Sequence, residues 1–222
     1  MNRPRIVGVG GFTSDVGKTT LMCHLIRAFP GWEAIKTTRG HYRSCGKDPH
    51  SCCVSHLLRE EPVILSGREQ TYMSGKDTGR YWEAGARNVH WMIAAEEQVE
   101  QGIKQAIELV RSAGVFVEGN SFTQFIDVDA FIMVAPTNGS KSKPSARRAL
   151  SKASALYLSS EMNQGVDVLF KGGRKVSAVD SLSINLPVYT QETLADLIAD
   201  LRLIDSPART NTTSEDLGTA VE

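Results

Sequence analysis

Ten residues near the start, Gly11-Phe-Thr13-Ser14-Asp15-Val16-Gly17-Lys18-Thr19-Thr20, have the types and order that hold a phosphate. Glycines let backbone N–H groups turn inward on an anion, and a helix beginning at Lys18 adds the positive end of its dipole. The Lys18 ammonium would reach the outer phosphates of a nucleotide, and the Thr19 hydroxyl would bind Mg2+. Gly11, Thr13 to Gly17 and Thr20 would supply the rest of the cradle. Five residues separate Gly11 from Gly17, one more than the usual P-loop holds, and position 12 is Phe. A chance Gly-Lys-Thr in a Gly-rich turn is disfavoured, because strand, turn, Gly-Lys-Thr-Thr and amphipathic helix come in the required order.

A site for Mg2+ and a nucleotide also needs a carboxylate at the end of a nearby strand. Val115-Phe-Val-Glu118-Gly fits, so Glu118 joins Thr19 as the expected Mg2+ support. The competing reading is an ordinary exposed Glu at a strand end. A second group is His41, Cys45, His50, Cys52, Cys53 and His56, all within sixteen positions. Cys45, Cys52, Cys53 and His56 are types that ligate Zn2+, but their spacing matches no standard finger. A polar loop with buried thiols, a bound metal and a redox-labile pair all stay open. Lys141, Lys143, Arg147 and Arg148 form a basic cluster, either a solvated helix start or a contact for an anionic substrate. Cys23, Trp82 and Trp91 read as packing residues.

These groups need elements to position them. Apolar runs predict strands at 6–10, 33–37, 62–66, 89–94, 115–118, 130–135, 166–170 and 186–189. Helical stripes predict helices at 18–29, 78–86, 96–113, 145–158 and 193–203, with Gly114 as the stop of the third. Alternation of this kind implies an α/β fold, a three-layer P-loop architecture with a mostly parallel central sheet. Ligands should then sit at the carboxyl ends of the strands. The expected organisation is one nucleotide-binding domain over 1–205, with a Cys/His-rich loop at 38–57. A polar, Thr-rich, disordered tail is expected at 206–222.

The chain has 222 residues, 25 basic and 25 acidic, and so no formal net charge. That balance excludes the electrostatic footprint of a nucleic-acid binder and a polybasic membrane anchor. Hydrophobic residues make up 41%, or about 47% when Gly is counted in place of Tyr, which is ordinary for a globular chain. Four cysteines are too few for a disulfide scaffold at this length, and no window is long and apolar enough to span a bilayer. The expectation is a soluble protein of the reducing cytoplasm.

Several pieces together resemble the molybdopterin-guanine dinucleotide biosynthesis protein B (MobB) family. They are Gly17-Lys-Thr-Thr-Leu, Ala34-Ile-Lys36-Thr, Gly75-Lys-Asp77-Thr78 with Arg80, Glu83-Ala-Gly85-Ala86, Val117-Glu118-Gly119 and Leu186-Pro-Val-Tyr. The order of the pieces is the family's order. The resemblance covers residues 5–134 in patches and then 184–203, and it does not extend clearly to 38–72 or 136–180. It implies a GTP-binding accessory protein with weak GTPase activity, acting in molybdenum-cofactor biosynthesis. Lys18 and Thr19 would bind phosphate and Mg2+, Glu118 would support the metal, and Asp77 would face the site from the start of its helix. The partner implied is a transferase of cofactor synthesis, and a homodimer is the commonest assembly for such chains. No Asn-Lys-x-Asp for guanine is present; Thr137-Asn138-Gly-Ser-Lys141 has the wrong spacing. The five-residue loop spacing, Lys36 and Val117-Glu-Gly also resemble dethiobiotin synthetase. That resemblance implies an ATP-dependent small-molecule synthetase in which Lys18, Lys36 and Glu118 bind ATP, Mg2+ and a small carbamate or carboxylate. A metallochaperone-type GTPase with Zn2+ in the Cys/His loop is the third reading.

Overall fold

The structure is a computed structural model that describes residues 3–40, 57–136, 144–159, 168–171, 174–179, 182–184 and 186–204. Its centre is β1 (Arg5–Gly11), an apolar strand that runs into the Gly-rich turn and then α1 (Lys18–Ala28). The chain continues through β2 (Glu33–Arg39), β3 (Val63–Ser66), α2 (Arg68–Thr71), α3 (Asp77–Glu83) and β4 (Val89–Ala94). Then come α4 (Val99–Glu108), β5 (Gly114–Glu118), β6 (Ala130–Pro136), α5 (Pro144–Leu150) and β7 (Ala155–Ser159). The strands β8 (Val168–Lys171), β9 (Arg174–Val179) and β10 (Leu182–Ile184) precede β11 (Val188–Tyr189) and α6 (Leu194–Leu203).

Eight strands form one sheet in the order β11-β7-β6-β1-β5-β2-β4-β3. All neighbours are parallel except β3, which closes one edge antiparallel to β4. From β1 the chain crosses to β2 on one side, and it later returns to place β5 and β6 on either flank of β1. Such a reversal of strand order opens a crevice at the carboxyl ends, and the Gly-rich turn lies there. Alternate strand residues feed two cores. Val7, Val9, Ala34 and Phe116 pack with Leu21, Leu25, Tyr81 and Leu197 on the face covered by α1, α3 and α6. Ile6, Ile35, Val117 and Met133 pack with Val99, Ile103 and Ala146 on the face covered by α4 and α5. This is the expected mostly parallel three-layer α/β fold.

Three expectations are corrected. The helix expected at 145–158 stops at Leu150, and Ala155–Ser159 is a strand. Its Ala155 and Tyr157 enter one core while Leu156 and Leu158 enter the other, as a strand buried on both faces requires. The helix expected at 96–113 is a 3-10 turn at Glu96–Gln98 followed by α4, which ends at Glu108. The chain leaves the helix where the Arg111 backbone N–H donates to Glu33 Oε1 at 2.9 Å, so Gly114 opens β5 and is not a helix stop. β8, β9 and β10 form a separate antiparallel sheet, of which the sequence reading anticipated one strand.

Two glycines in β1 let aromatic rings close on the sheet. A Cβ on Gly8 would lie 2.6 Å from the Phe131 ring and 2.8 Å from the Phe122 ring. Gly8→Ala is therefore expected to cost about 1–3 kcal/mol through overpacking, read as a lower urea midpoint; an unchanged midpoint would contradict this close approach.

Candidate functional site

The turn between β1 and α1 has the backbone of an anion cradle. Asp15 has φ of 55° and Gly17 has φ of 89°, and positive-φ residues at such spacing are what lets backbone N–H groups turn inward on an anion. Lys18 folds back over the turn, its Nζ donating to the Thr13 carbonyl at 3.2 Å. A Cβ on Gly11 would lie 2.8 Å from Lys18 Cδ, so a glycine is needed there for that fold. Asn120 ties the turn to the end of β5: Gly11 N–H donates to its Oδ1 and its Nδ2 donates to the Gly11 carbonyl, both at 2.9 Å.

A charged cluster stands beside the cradle. Lys36 and Glu118 are register partners of β2 and β5, so their side chains leave the same face of the sheet. The Lys36 ammonium lies 2.5 Å from Glu118 Oε1 and 2.6 Å from Asp77 Oδ2. The Thr19 hydroxyl lies 2.8 Å from Asp77 Oδ1 and 3.2 Å from Glu118 Oε2. The buried Tyr81 hydroxyl donates to Glu118 Oε2, and Thr37 Oγ1 donates to the Glu118 carbonyl at 2.7 Å. Gly119 is required at this turn, because a Cβ there would sit 1.9 Å from Thr37 Oγ1.

The charge states follow from these contacts. Burial would lower the Lys36 pKa, but the charges of Glu118 and Asp77 outweigh it and hold the ammonium above its ordinary value. Burial would raise Asp77, but the Lys36 charge and hydrogen bonds from Lys36 and Thr19 hold the carboxyl below its ordinary value. Burial and then the Glu118 charge push the Tyr81 phenol well up, so it stays a donor. One hydroxyl proton on Thr19 cannot serve both carboxylates, so Thr19 donates to one of them at a time and its own lone pairs stay available. Hard oxygen donors of this kind fit Mg2+, which keeps waters and phosphate oxygens in its remaining positions. Among the described residues no group of three His, Cys, Asp or Glu side chains gathers to hold a metal alone.

Thus Lys18, Thr19, Thr20, Lys36, Asp77 and Glu118 come together around one pocket of about 460 Å³, with Ser14 to Gly17 and Arg80 also in its wall. Gly11 and Thr13 line a second pocket of about 280 Å³ that shares Lys18 and includes Thr37, Arg39 and Asn120. Tyr81, Thr37 and Asn120 were not singled out by the sequence reading. Tyr81 had a signal, since it lies four residues after Asp77 on one helix face. Asn120 and Thr37 had none, because their roles depend on strand register.

The Zn2+ candidates Cys45, Cys52, Cys53 and His56 lie outside the described residues, as do Lys141 and Lys143. Of the remaining basic pair, Arg148 lies 3.9 Å from Glu96, which also pairs with Arg39 at 3.0 Å. Cys23 is a buried packing residue whose thiol is pushed up by burial, its Sγ 3.6 Å from the Arg80 carbonyl. Trp82 and Trp91 are only partly buried: Trp82 packs against the core and Trp91 lines a pocket. No described helix is long and apolar enough to cross a membrane.

No family model matches the chain, and no curated protein matches it. Among solved structures it is similar to the "apo" form of LpxK from Aquifex aeolicus in complex with ATP, at 15% identity and a TM-score of 0.49. The match covers 85% of this chain and 54% of that one. It is also similar to the Zn(II)-bound YjiA GTPase from E. coli, at 14% identity and a TM-score of 0.33, over 72% of this chain and 50% of that one. The chain therefore spans about half the length of these structures. Likeness at this level transfers no activity.

The cluster has a defined pH signature. Asp77, held low, adds stability that is fully present above its unfolded value and is lost as pH falls through its folded value. Lys36, held high, adds stability that is fully present below its unfolded value and is lost as pH rises through its folded value. The stability difference between wild type and Lys36→Met, from urea denaturation, is expected to be greatest near neutral pH and to shrink below about pH 4. A difference that grows on acidification would contradict the ion cluster.

Proposed function

We propose that the chain binds a nucleoside triphosphate with Mg2+ at the 11–20 turn and hydrolyses it slowly, as a GTP-binding accessory protein of molybdenum-cofactor maturation. The observation that carries this reading is the convergence of Thr19, Asp77 and Glu118. They come from three separate segments of the MobB resemblance and meet within hydrogen-bonding distance. Those segments are distant in sequence, and an incidental likeness gives no reason for them to meet.

Each residue then has a task. The backbone N–H groups of the turn hold the phosphate oxygens, and Lys18 exchanges its Thr13 carbonyl for a phosphate oxygen. Thr19 and Glu118 would hold Mg2+, and the ion would supply positive charge to offset that on the phosphates. Asp77 accepts hydrogen bonds beside them and orients water, and the Lys36 charge keeps Asp77 ionised.

One observation favours a second reading. Lys36 bridges two carboxylates beside the phosphate pocket, where a small-molecule synthetase of the dethiobiotin type would hold its acid substrate. Calorimetric titration with GTP and with ATP, each with Mg2+, separates the two. Binding of GTP alone supports the accessory protein, and binding of ATP alone supports the synthetase. Lys18→Ala is expected to weaken the bound nucleotide at least about tenfold while the circular dichroism spectrum stays unchanged. Unchanged affinity would refute the site.

A further inference from the structure

A third pocket, of about 600 Å³, adjoins the phosphate pocket and shares Lys36 and Asp77 with it. Its character is different. Trp91 and Thr38 lie on the sheet, Leu57 borders it, and Tyr72 and Met73 come from the segment between α2 and α3. Register explains the sheet side: Trp91 is the β4 partner of Lys36, so both side chains leave the same face. Two of the wall's aromatic side chains are held by contacts of their own. Trp91 Nε1 donates to Thr38 Oγ1 at 2.8 Å. The Tyr72 hydroxyl donates to Glu83 at 3.2 Å, and the Arg68 guanidinium lies 4.4 Å from the centre of its ring. Yet Tyr72 and Met73 remain 39% and 59% exposed, although most large apolar side chains in the described residues are buried. A preformed apolar wall left facing water fits a ligand better than it fits packing.

The inner end sets the chemistry of the ligand's head. Lys36, Lys76 and Asp77 line this pocket, and Glu118, in the wall of the neighbouring one, pairs with Lys36 across the boundary, so two positive charges meet two negative ones. A charged head would upset that balance, whereas a neutral hydroxyl can donate to the Asp77 carboxylate. We infer that this pocket binds a small neutral molecule with an apolar, ring-sized body and a hydroxyl head, seated directly beside the nucleotide phosphates. The position of the phosphates rests on the nucleotide reading above; the pocket and its ligand class do not.

The probe is naphthalen-2-ylmethanol, followed by saturation-transfer NMR on the full chain, with naphthalene-2-carboxylate and naphthalen-2-ylmethylammonium as charged analogues. The alcohol is expected to bind at least about tenfold tighter than either analogue. Trp91→Ala and Met73→Asp are each expected to weaken it about tenfold; Met73 is exposed enough that its replacement leaves the fold in place. No transfer to the alcohol, equal or tighter binding of a charged analogue, or full binding in both variants would overturn the inference. Titration of the same wild-type sample with GTP and ATP keeps the two readings apart. Alcohol binding without nucleotide binding defeats the proposed function alone, and nucleotide binding without alcohol binding defeats this inference alone.

Discussion

A carboxylate buried in the middle of a sheet must find a counter-charge, because water no longer solvates it. Glu118 is 2% exposed, and the register of β2 against β5 sets Lys36 directly beside it. The rest of the site follows from that pair. Lys36 has a second contact to give, and α3 supplies Asp77 to receive it. The same helix supplies Tyr81 to the remaining Glu118 oxygen. α3 is thereby anchored over β2 and β5 by polar contacts as well as by its apolar residues, and Asp77 is carried to Thr19 at the start of α1.

The opposite end of β2 meets the same problem on the other face of the sheet. Glu33 and His90 are both almost fully buried, with His90 Nε2 and Glu33 Oε2 2.8 Å apart. Burial would raise Glu33, but bonds from His90 and from the Arg111 backbone hold it below its ordinary value. A local requirement thus becomes a topological one, since the contact with Arg111 fixes where the chain leaves α4 and enters β5. β2 therefore has its charges compensated at both ends. At the carboxyl end the compensating groups also border open pockets.

Backbone freedom is concentrated where the site needs close approach. Gly8 admits two phenylalanine rings against β1, Gly11 admits the folded Lys18 side chain, and Gly119 admits the Thr37 hydroxyl. With these approaches in place, Lys36 and Asp77 form a wall between a polar pocket and an apolar one. Several side chains in both linings are already held by hydrogen bonds, which lowers the ordering cost of a ligand.

The sequence by itself determined the alternation of strands and helices, the Gly-rich turn before α1 and the strand-end Glu118. Each depends on neighbours in the chain: apolar runs, a Gly-Lys-Thr-Thr at a helix start, a Glu after Val-Phe-Val. It misread 145–158 because Ala155-Leu-Tyr-Leu is apolar without interruption, a pattern that suits a helix core or a strand buried on both faces; pairing with β6 and β11 made it a strand. It named Lys36 and Asp77 only through resemblance, and it left out Tyr81, Thr37 and Asn120. Their roles depend on contacts between residues 37 to 109 positions apart. Strand register and helix placement decide those contacts, and no local preference encodes a register. The apolar pocket was invisible for the same reason: Trp91 and Lys36 become neighbours only when β2 and β4 pair.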